Sequence, residues 1–188
     1  MKKKGEKGEF SKDVSKIEHR YMPEFVYGGI DGAITTFAVV SGSIGASLSS
    51  SIILILGFAN LIGDGFSMAV SNYLSTKSER ELHPKHRFSF GKKPIRTAWA
   101  TFSSFIVIGL IPLISFLLAA ITNSPVLKER QFMLSFILTA IALAIVGGFK
   151  GKIVGKHVVR SALQTLVIGG VAAALAFFTG YFINSLIT

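Results

Sequence analysis

The sequence predicts an all-α integral membrane protein with five transmembrane helices, and three observations carry that prediction. Half of the 188 residues are hydrophobic, and the mean hydropathy is +0.56. Only 16% of the residues are charged, against roughly 25% in a typical soluble domain. Five apolar stretches are each long enough to cross a hydrocarbon core, which takes about 20 helical residues.

The apolar stretches divide the chain into a basic arm and one transmembrane domain. Residues 1–23 form the arm, which is charged and lacks the apolar core of a signal peptide. Residues 24–188 form the transmembrane domain. Its spans are predicted at residues 24–46, 52–76, 95–121, 131–149 and 158–184. Pro112 is expected to kink the third span.

The basic residues lie mainly on one side of the predicted spans. The arm and the second and fourth connections carry 18 Lys and Arg residues, and the third connection carries two. By the positive-inside rule, the N-terminus is therefore cytoplasmic. The second connection, residues 77–96, contains two prolines and is predicted to be irregular. The net charge of +10 is attributed to topology and not to nucleic-acid binding.

Two aspartates, Asp31 and Asp64, lie within the predicted spans. A charged aspartate at the centre of a bilayer costs about 2.5–3.5 kcal/mol, so such groups usually face a bundle interior or an aqueous path. With a rise of about 1.5 Å per residue, Asp31 is expected at the depth of Met68, and Asp64 at that of Thr35. In the structural alternative, both aspartates are protonated and hydrogen-bond helices together.

The second span carries one polar stripe. Asn60, Asp64, Met68 and Asn72 recur every four residues, which places them on one helix face. Carboxylate oxygen and thioether sulfur favour a borderline transition metal over magnesium or calcium, although methionine is also a common core filler. Metal binding requires deprotonated ligands, so an arriving metal releases protons. The candidate metal ligands are Asp31, Asp64, Met68 and Asn60, with Thr35 and Asn72 as weaker candidates.

Two segments are similar to helices of a known family. Residues 27–40, YGGIDGAITTFAVV, resemble the first helix of the vacuolar iron transporter family, and residues 57–79, GFANLIGDGFSMAVSNYLSTKSE, resemble its second. The resemblance implies a five-helix homodimer with the ion path between the subunits. It also implies export of Fe²⁺ from the cytoplasm or into an organelle in exchange for protons, with Mn²⁺ as a second substrate. Asp31 and Met68 match the family's translocation residues, and Asn60 falls where some members have a glutamate.

The second connection departs from the family pattern. Iron-transporting members often carry a helical, glutamate-rich cytoplasmic domain there, whereas this connection has about 20 residues and is basic. Glu79 and Glu81 could hold a metal together with His83 and His86, but Pro84 and the basic neighbours favour a solvated loop. Both glutamates are therefore weaker candidates. The compact form favours the plasma membrane of a prokaryote over a vacuolar membrane.

The sequence thus predicts a secondary transporter of Fe²⁺ or Mn²⁺ with no permanent cofactor. Its expected partners are the metal ion, protons, the bilayer and a second copy of the chain. Two alternatives stay open: a metal-permeable channel that uses the same polar path, and a structural membrane protein with hydrogen-bonded aspartates. The sequence contains no nucleophile–base pair or catalytic metal motif, so an enzyme is not expected.

Overall fold

The computed structural model describes residues 3–82, 91–122 and 124–187, and for residues 3–19 it describes the backbone alone. All regular structure in these ranges is α-helical, which confirms the all-α prediction. The helices of these ranges are α1 (Lys3–Gly45), α2 (Ser50–Leu82), α3 (Pro94–Gly109), α4 (Ile111–Thr122), α5 (Pro125–Ile153) and α6 (Val158–Ile187).

Four helical segments are long and apolar enough to cross a membrane. They are Arg20–Gly45, Ser50–Leu82, Pro125–Ile153 and Val158–Ile187. Together, α3 and α4 meet the same criterion, but they bend by 49° at their junction. The described ranges therefore contain four candidate spans, or five if the bent pair counts as one. Helices cover nearly all the residues of each predicted span, and α2 and α5 extend further by roughly one to two turns.

The helix α2 continues past the predicted end of the second span. The sequence predicts an irregular connection over residues 77–96. Because α2 ends at Leu82 and α3 begins at Pro94, that prediction is wrong for residues 77–82 and 94–96, and residues 83–90 lie outside the described ranges. Lys, Glu, Arg and Leu are strong helix formers and need no apolar neighbours to continue a helix. In addition, Lys77 Nζ lies 3.9 Å from Glu81 Oε1, one turn further along the helix.

The central helix of the bundle is α1. It packs most extensively against α3 and α6, and it also contacts α2, α4 and α5. In its most apolar stretch 50% of the residues are buried, against 28% in α2 and 6% in α6. Consequently, α2 and α6 leave most of their surface to lipid or to another chain.

Two glycines bring the backbones of α1 and α6 into contact. A Cβ atom at Gly45 would meet the carbonyl oxygen of Phe177, and one at Gly180 would meet the carbonyl oxygen of Gly42. Small residues of this kind let membrane helices pack closely without a hydrophobic driving force. The crossing fixes the C-terminal half of α1 in the bundle.

The bend between α3 and α4 lies next to Pro112, as the sequence predicts. Proline has no backbone N–H and cannot complete the helical hydrogen bond to the carbonyl four residues earlier. Two hydroxyls hold the bent segment against α5. The Ser135 hydroxyl donates to the Pro112 carbonyl oxygen at 2.6 Å, and the Ser115 hydroxyl donates to the Gln131 carbonyl oxygen at 2.7 Å. The helix predicted over residues 95–121 is thus divided into α3 and α4.

Candidate functional site

Asp31 of α1 and Asp64 of α2 lie close to the same residue of α3. Each is followed by a glycine that faces Phe105 of α3. A Cβ atom at Gly32 would meet the Phe105 carbonyl oxygen, and one at Gly65 would lie 3.2 Å from Phe105 Cδ1. The two carboxylates are close enough for their charges to interact. The structure therefore brings the two predicted intramembrane acids together.

Both carboxylates lie well inside their helices. At about 1.5 Å per residue, Asp31 is about 17 Å along the axis from Arg20 and about 21 Å from Gly45. Asp31 is half-buried, whereas Asp64 is exposed on the surface of the single chain. The two ion pairs of the described ranges, Lys77–Glu81 and Lys92–Glu24, leave both aspartates without a basic partner there. An uncompensated carboxylate at this depth is costly unless it meets an ion, water or another chain.

The predicted polar stripe runs along one edge of the buried face of α2. The residues of that buried face are Ile53, Gly57, Leu61, Gly65 and Ala69. The stripe residues Asn60, Asp64 and Met68 directly precede the last three of these in sequence. Asn60 and Met68 are half-buried, and Asp64 is exposed. The stripe therefore faces both the neighbouring helices and the outer surface of the chain.

Met68 and Asn60 are the other two principal candidates. The Met68 side chain packs against the hydrophobic core cluster of which Phe105 is one member. This contact is also what a core-filling methionine would make. The Asn60 amide nitrogen Nδ2 is buried and has no hydrogen-bond partner in the described part of the chain. A buried unpaired polar atom costs about 1–3 kcal/mol, which a bound group beside Asn60 would offset.

Two weaker candidates make hydrogen bonds within the bundle. Asn72 Nδ2 donates to Thr101 Oγ1 at 2.5 Å and so joins α2 to α3. Thr35 Oγ1 donates to the backbone carbonyl oxygen of Asp31 at 2.9 Å. Asn72 therefore links two helices. The Thr35 hydroxyl donates its hydrogen, but its oxygen lone pairs stay available to a ligand next to Asp31.

The acidic residues at the end of α2 lie apart from the aspartates. Glu79 and Glu81 are exposed, and Glu79 is about 22 Å along the helix axis from Asp64. His83 and His86 lie outside the described residues. No group of three His, Cys, Asp or Glu side chains that could hold a metal occurs within the ranges described.

A row of buried hydroxyls on α3 escaped the sequence analysis. Thr97, Thr101 and Ser104 are each 0% exposed, and they face α1 and α2. Thr97 Oγ1 lies 3.2 Å from Thr76 Oγ1 of α2. The spacing of four and then three residues was the available signal, because it defines one helix face.

The acidic residue Glu24 was also missed. It lies seven residues before Asp31, which places the two carboxylates on nearly the same face of α1. Its Oε1 atom is 2.6 Å from the Nζ atom of Lys92, a residue of the connection between α2 and α3. The spacing of seven could have identified Glu24, but its position at the edge of the predicted span concealed it.

Comparison with known proteins identifies the family. The family model of the VIT family matches residues 22–91 and 81–181 of this chain. The chain belongs to the VIT family. The two matched stretches cover both aspartates, the α2 stripe and the later helices as far as residue 181, and they overlap over residues 81–91.

Relatives named vacuolar iron transporter are similar over most of their length. The protein of Toxoplasma gondii is 25% identical over 92% of this chain and 78% of its own. The protein of Centaurea cyanus is 29% identical over 92% of this chain and 95% of its own. Vacuolar iron transporter homolog 4 of Arabidopsis thaliana is 27% identical over 88% of this chain and 84% of its own.

The relatives differ in whether they contain residues that have no counterpart in this VIT-family chain. The alignment with the Toxoplasma gondii protein extends over 234 residues, more than the 188 of this chain, so that relative has residues with no counterpart here. The alignment with homolog 4 extends over 176 residues and so fits within the length of this chain. A compact sequence of this kind therefore occurs among relatives as well.

Proposed function

We propose that this chain is a secondary transporter that moves a divalent transition metal ion across a membrane in exchange for protons. Fe²⁺ is the favoured substrate, and Mn²⁺ is the second. The observation that carries the proposal is the pair of neighbouring carboxylates, Asp31 and Asp64, within two membrane-spanning helices and beside Phe105. The names of the relatives support iron as the metal.

The proposed ligands combine charge and softness. Asp31 and Asp64 supply carboxylate oxygens that neutralise a divalent ion. Met68 supplies a thioether sulfur, which favours Fe²⁺ over Mg²⁺ and Ca²⁺. Asn60 supplies an amide oxygen at the next turn of the stripe.

The coupling to protons follows from the chemistry of the same carboxylates. Two negative charges that share a site inside a bilayer repel each other, and a proton on one of them relieves the repulsion. A metal ion binds the deprotonated form, so its arrival releases a proton. Each transport cycle would then exchange metal for protons at one site.

A second copy of the chain completes the proposed site. The outer face of α2 carries Gly63, Asp64, Ser67 and Ser71, all of them exposed in the single chain. An ionisable side chain such as that of Asp64 does not normally face lipid. A homodimer that buries this face would bring the candidate ligands of both subunits together. One subunit alone provides two carboxylates, those of Asp31 and Asp64. The ion path would then run between the two subunits.

The topology and the membrane are part of the proposal. The basic connections support a cytoplasmic N-terminus, with residues 1–23 as an arm and 24–188 as the transmembrane domain. The relatives named above come from eukaryotes and are named for the vacuole. Their names do not support the prokaryotic plasma membrane that the compact sequence favours.

A transport assay in liposomes tests the function. Purified protein is reconstituted, and uptake of Fe²⁺, Mn²⁺ and Mg²⁺ is followed against protein-free liposomes of the same lipid. The proposal predicts uptake of Fe²⁺ and Mn²⁺ but not Mg²⁺. A channel would pass metal without coupled proton movement. A folded protein that takes up none of these ions would instead favour the structural alternative.

A further inference from the structure

We propose that Glu24 forms a second cation site, at the mouth of the pathway, and that the ammonium group of Lys92 occupies this site until a divalent metal ion displaces it. The inference rests on the proposed transport function and extends it to the entry step. Glu24 would bind incoming metal before Asp31 does, and Lys92 would compete with that metal.

The environment of Glu24 is that of a cation site. Its side chain is 13% exposed, and Oε1 lies 2.6 Å from Lys92 Nζ. The second oxygen, Oε2, is buried and has no hydrogen-bond partner in the part of the chain that the structure describes. A carboxylate oxygen buried without a donor is unfavourable. A divalent ion bound by both oxygens would satisfy Oε2, which the single ammonium group leaves unpaired.

The position of Glu24 connects it to the carboxylate pair. Seven residues separate Glu24 from Asp31, so both side chains project from nearly the same face of α1. The separation along the axis is about 10 Å. Glu24 lies toward the basic end of the bundle, where the connection between α2 and α3 meets α1. An ion that enters from this end would meet Glu24 first and Asp31 two turns later.

The connection before α3 is fixed so that Lys92 reaches Glu24. Arg20 Nη1 donates to the carbonyl oxygen of Gly91 at 3.1 Å. The backbone N–H of Lys93 donates to the Tyr21 hydroxyl at 2.8 Å. These two contacts bind the residues on either side of Lys92 to the turn of α1 that precedes Glu24. The backbone of Lys92 is therefore held beside α1, within reach of Glu24.

The ion pair is well suited to displacement. The Lys92 side chain is 33% exposed, and partly exposed ion pairs are only weakly held because water screens them. A divalent ion brings twice the charge to the same carboxylate. At low metal concentration Lys92 would keep the site closed, and at higher concentration metal would replace it.

The test compares four variants of the full chain in liposomes and in detergent. Lys92→Gln removes the competing charge, and Lys93→Gln removes the same charge from the neighbouring exposed lysine, which makes no side-chain contact with Glu24. Glu24→Gln and the double variant Glu24→Gln/Lys92→Gln remove the carboxylate. Initial Mn²⁺ and Fe²⁺ uptake is measured below half-saturation, and Mn²⁺ binding to the detergent-solubilised proteins is measured by electron paramagnetic resonance.

The expected result is a gain that depends on Glu24. Lys92→Gln should raise initial uptake by about three- to tenfold, as expected for removing one competing charge from a partly screened site. Lys93→Gln should behave as the wild type. Lys92→Gln should also bind Mn²⁺ at a site that the double variant lacks, and the double variant should show no gain in uptake.

Two outcomes separate this inference from the proposed function. If no variant transports metal but Lys92→Gln still binds Mn²⁺ at a site that is absent from the double variant, the transport proposal fails. The proposal of a cation site at Glu24 then stands. If Lys92→Gln and Lys93→Gln match each other in both uptake and Mn²⁺ binding, the inference is overturned. A loss of thermal stability in Lys92→Gln and Glu24→Gln alike, without any change in Mn²⁺ binding, would also overturn it, because the ion pair would then be purely structural.

Discussion

Asp31 on α1 and Asp64 on α2 lie level with Phe105, near enough for their negative charges to interact. Asp31 is half-buried, and Asp64 opens onto the surface of the single chain. Two charged carboxylates at such a site repel each other. A divalent ion or a proton relieves that repulsion, and this competition is the physical basis of the proposed exchange.

The exposed member of the pair provides the first prediction. Asp64→Asn keeps the size of the side chain but removes its charge, so we expect the half-saturating Mn²⁺ concentration for uptake to rise by about tenfold, equivalent to about 1.4 kcal/mol of binding energy. Glu129→Gln is the matched control, because it makes the same chemical change at an exposed residue near the start of α5. Equal half-saturation in Asp64→Asn and the control would exclude Asp64 as a ligand.

The role of Met68 is tested by the choice of metal. Met68→Leu conserves volume and should change stability by less than about 1.5 kcal/mol. Because the sulfur favours softer ions, we expect Fe²⁺ uptake to fall several-fold while Mn²⁺ uptake falls less. Met133→Leu on the exposed face of α5 serves as the control. An equal loss for both metals, together with a lower melting temperature, would show that Met68 is core filler.

The proposed dimer is tested at Gly63. A Cβ atom at Gly63 would meet nothing within 4 Å in the single chain, yet Gly63 lies on the α2 face that the second copy would cover. We expect Gly63→Leu to shift the protein from dimer to monomer, as measured by light scattering in detergent. Gly170→Leu, on an equally open surface of α6, should stay dimeric. A dimer that is unaffected by Gly63→Leu would require another interface.

The contact between α1 and α6 provides a prediction about stability. A Cβ atom at Gly180 would meet the carbonyl oxygen of Gly42, so Gly180→Ala forces the two backbones apart. We expect a loss of about 1–3 kcal/mol, read as a lower melting temperature in detergent. Gly170→Ala, where the added Cβ atom has open space, should leave the melting temperature unchanged. Identical melting curves for the two variants would contradict the close crossing.

Much of the fold was predictable, because the length and apolarity of membrane helices are local properties of the sequence. The helices, the break beside Pro112 and the polar stripe of α2 all follow from local composition and spacing. The extension of α2 to Leu82 did not, because the prediction ended the helix where the apolar residues end. Charged residues such as Lys77 and Glu81 continue a helix beyond the bilayer by their own propensity.

The site was predictable in part. Asp31 and Asp64 could be chosen as candidates from the sequence because acidic residues are rare in apolar segments. The pairing of Glu24 with Lys92 could not be found, since it joins residues 68 apart through contacts of the connection with α1. The bond from Asn72 to Thr101 also depends on how α2 packs on α3. Sequence spacing gives the face of a helix but not the helix that it meets.

The central claim is that Asp31 carries metal across the membrane in exchange for protons. The most direct test measures Fe²⁺ uptake and internal pH in the same liposomes, for the wild type and for Asp31→Asn. We predict that Fe²⁺ entry into wild-type liposomes raises the internal pH in a fixed ratio, and that Asp31→Asn, although folded, loses both signals. Fe²⁺ uptake at the wild-type rate in Asp31→Asn, or uptake with no proton movement in the wild type, would contradict the account.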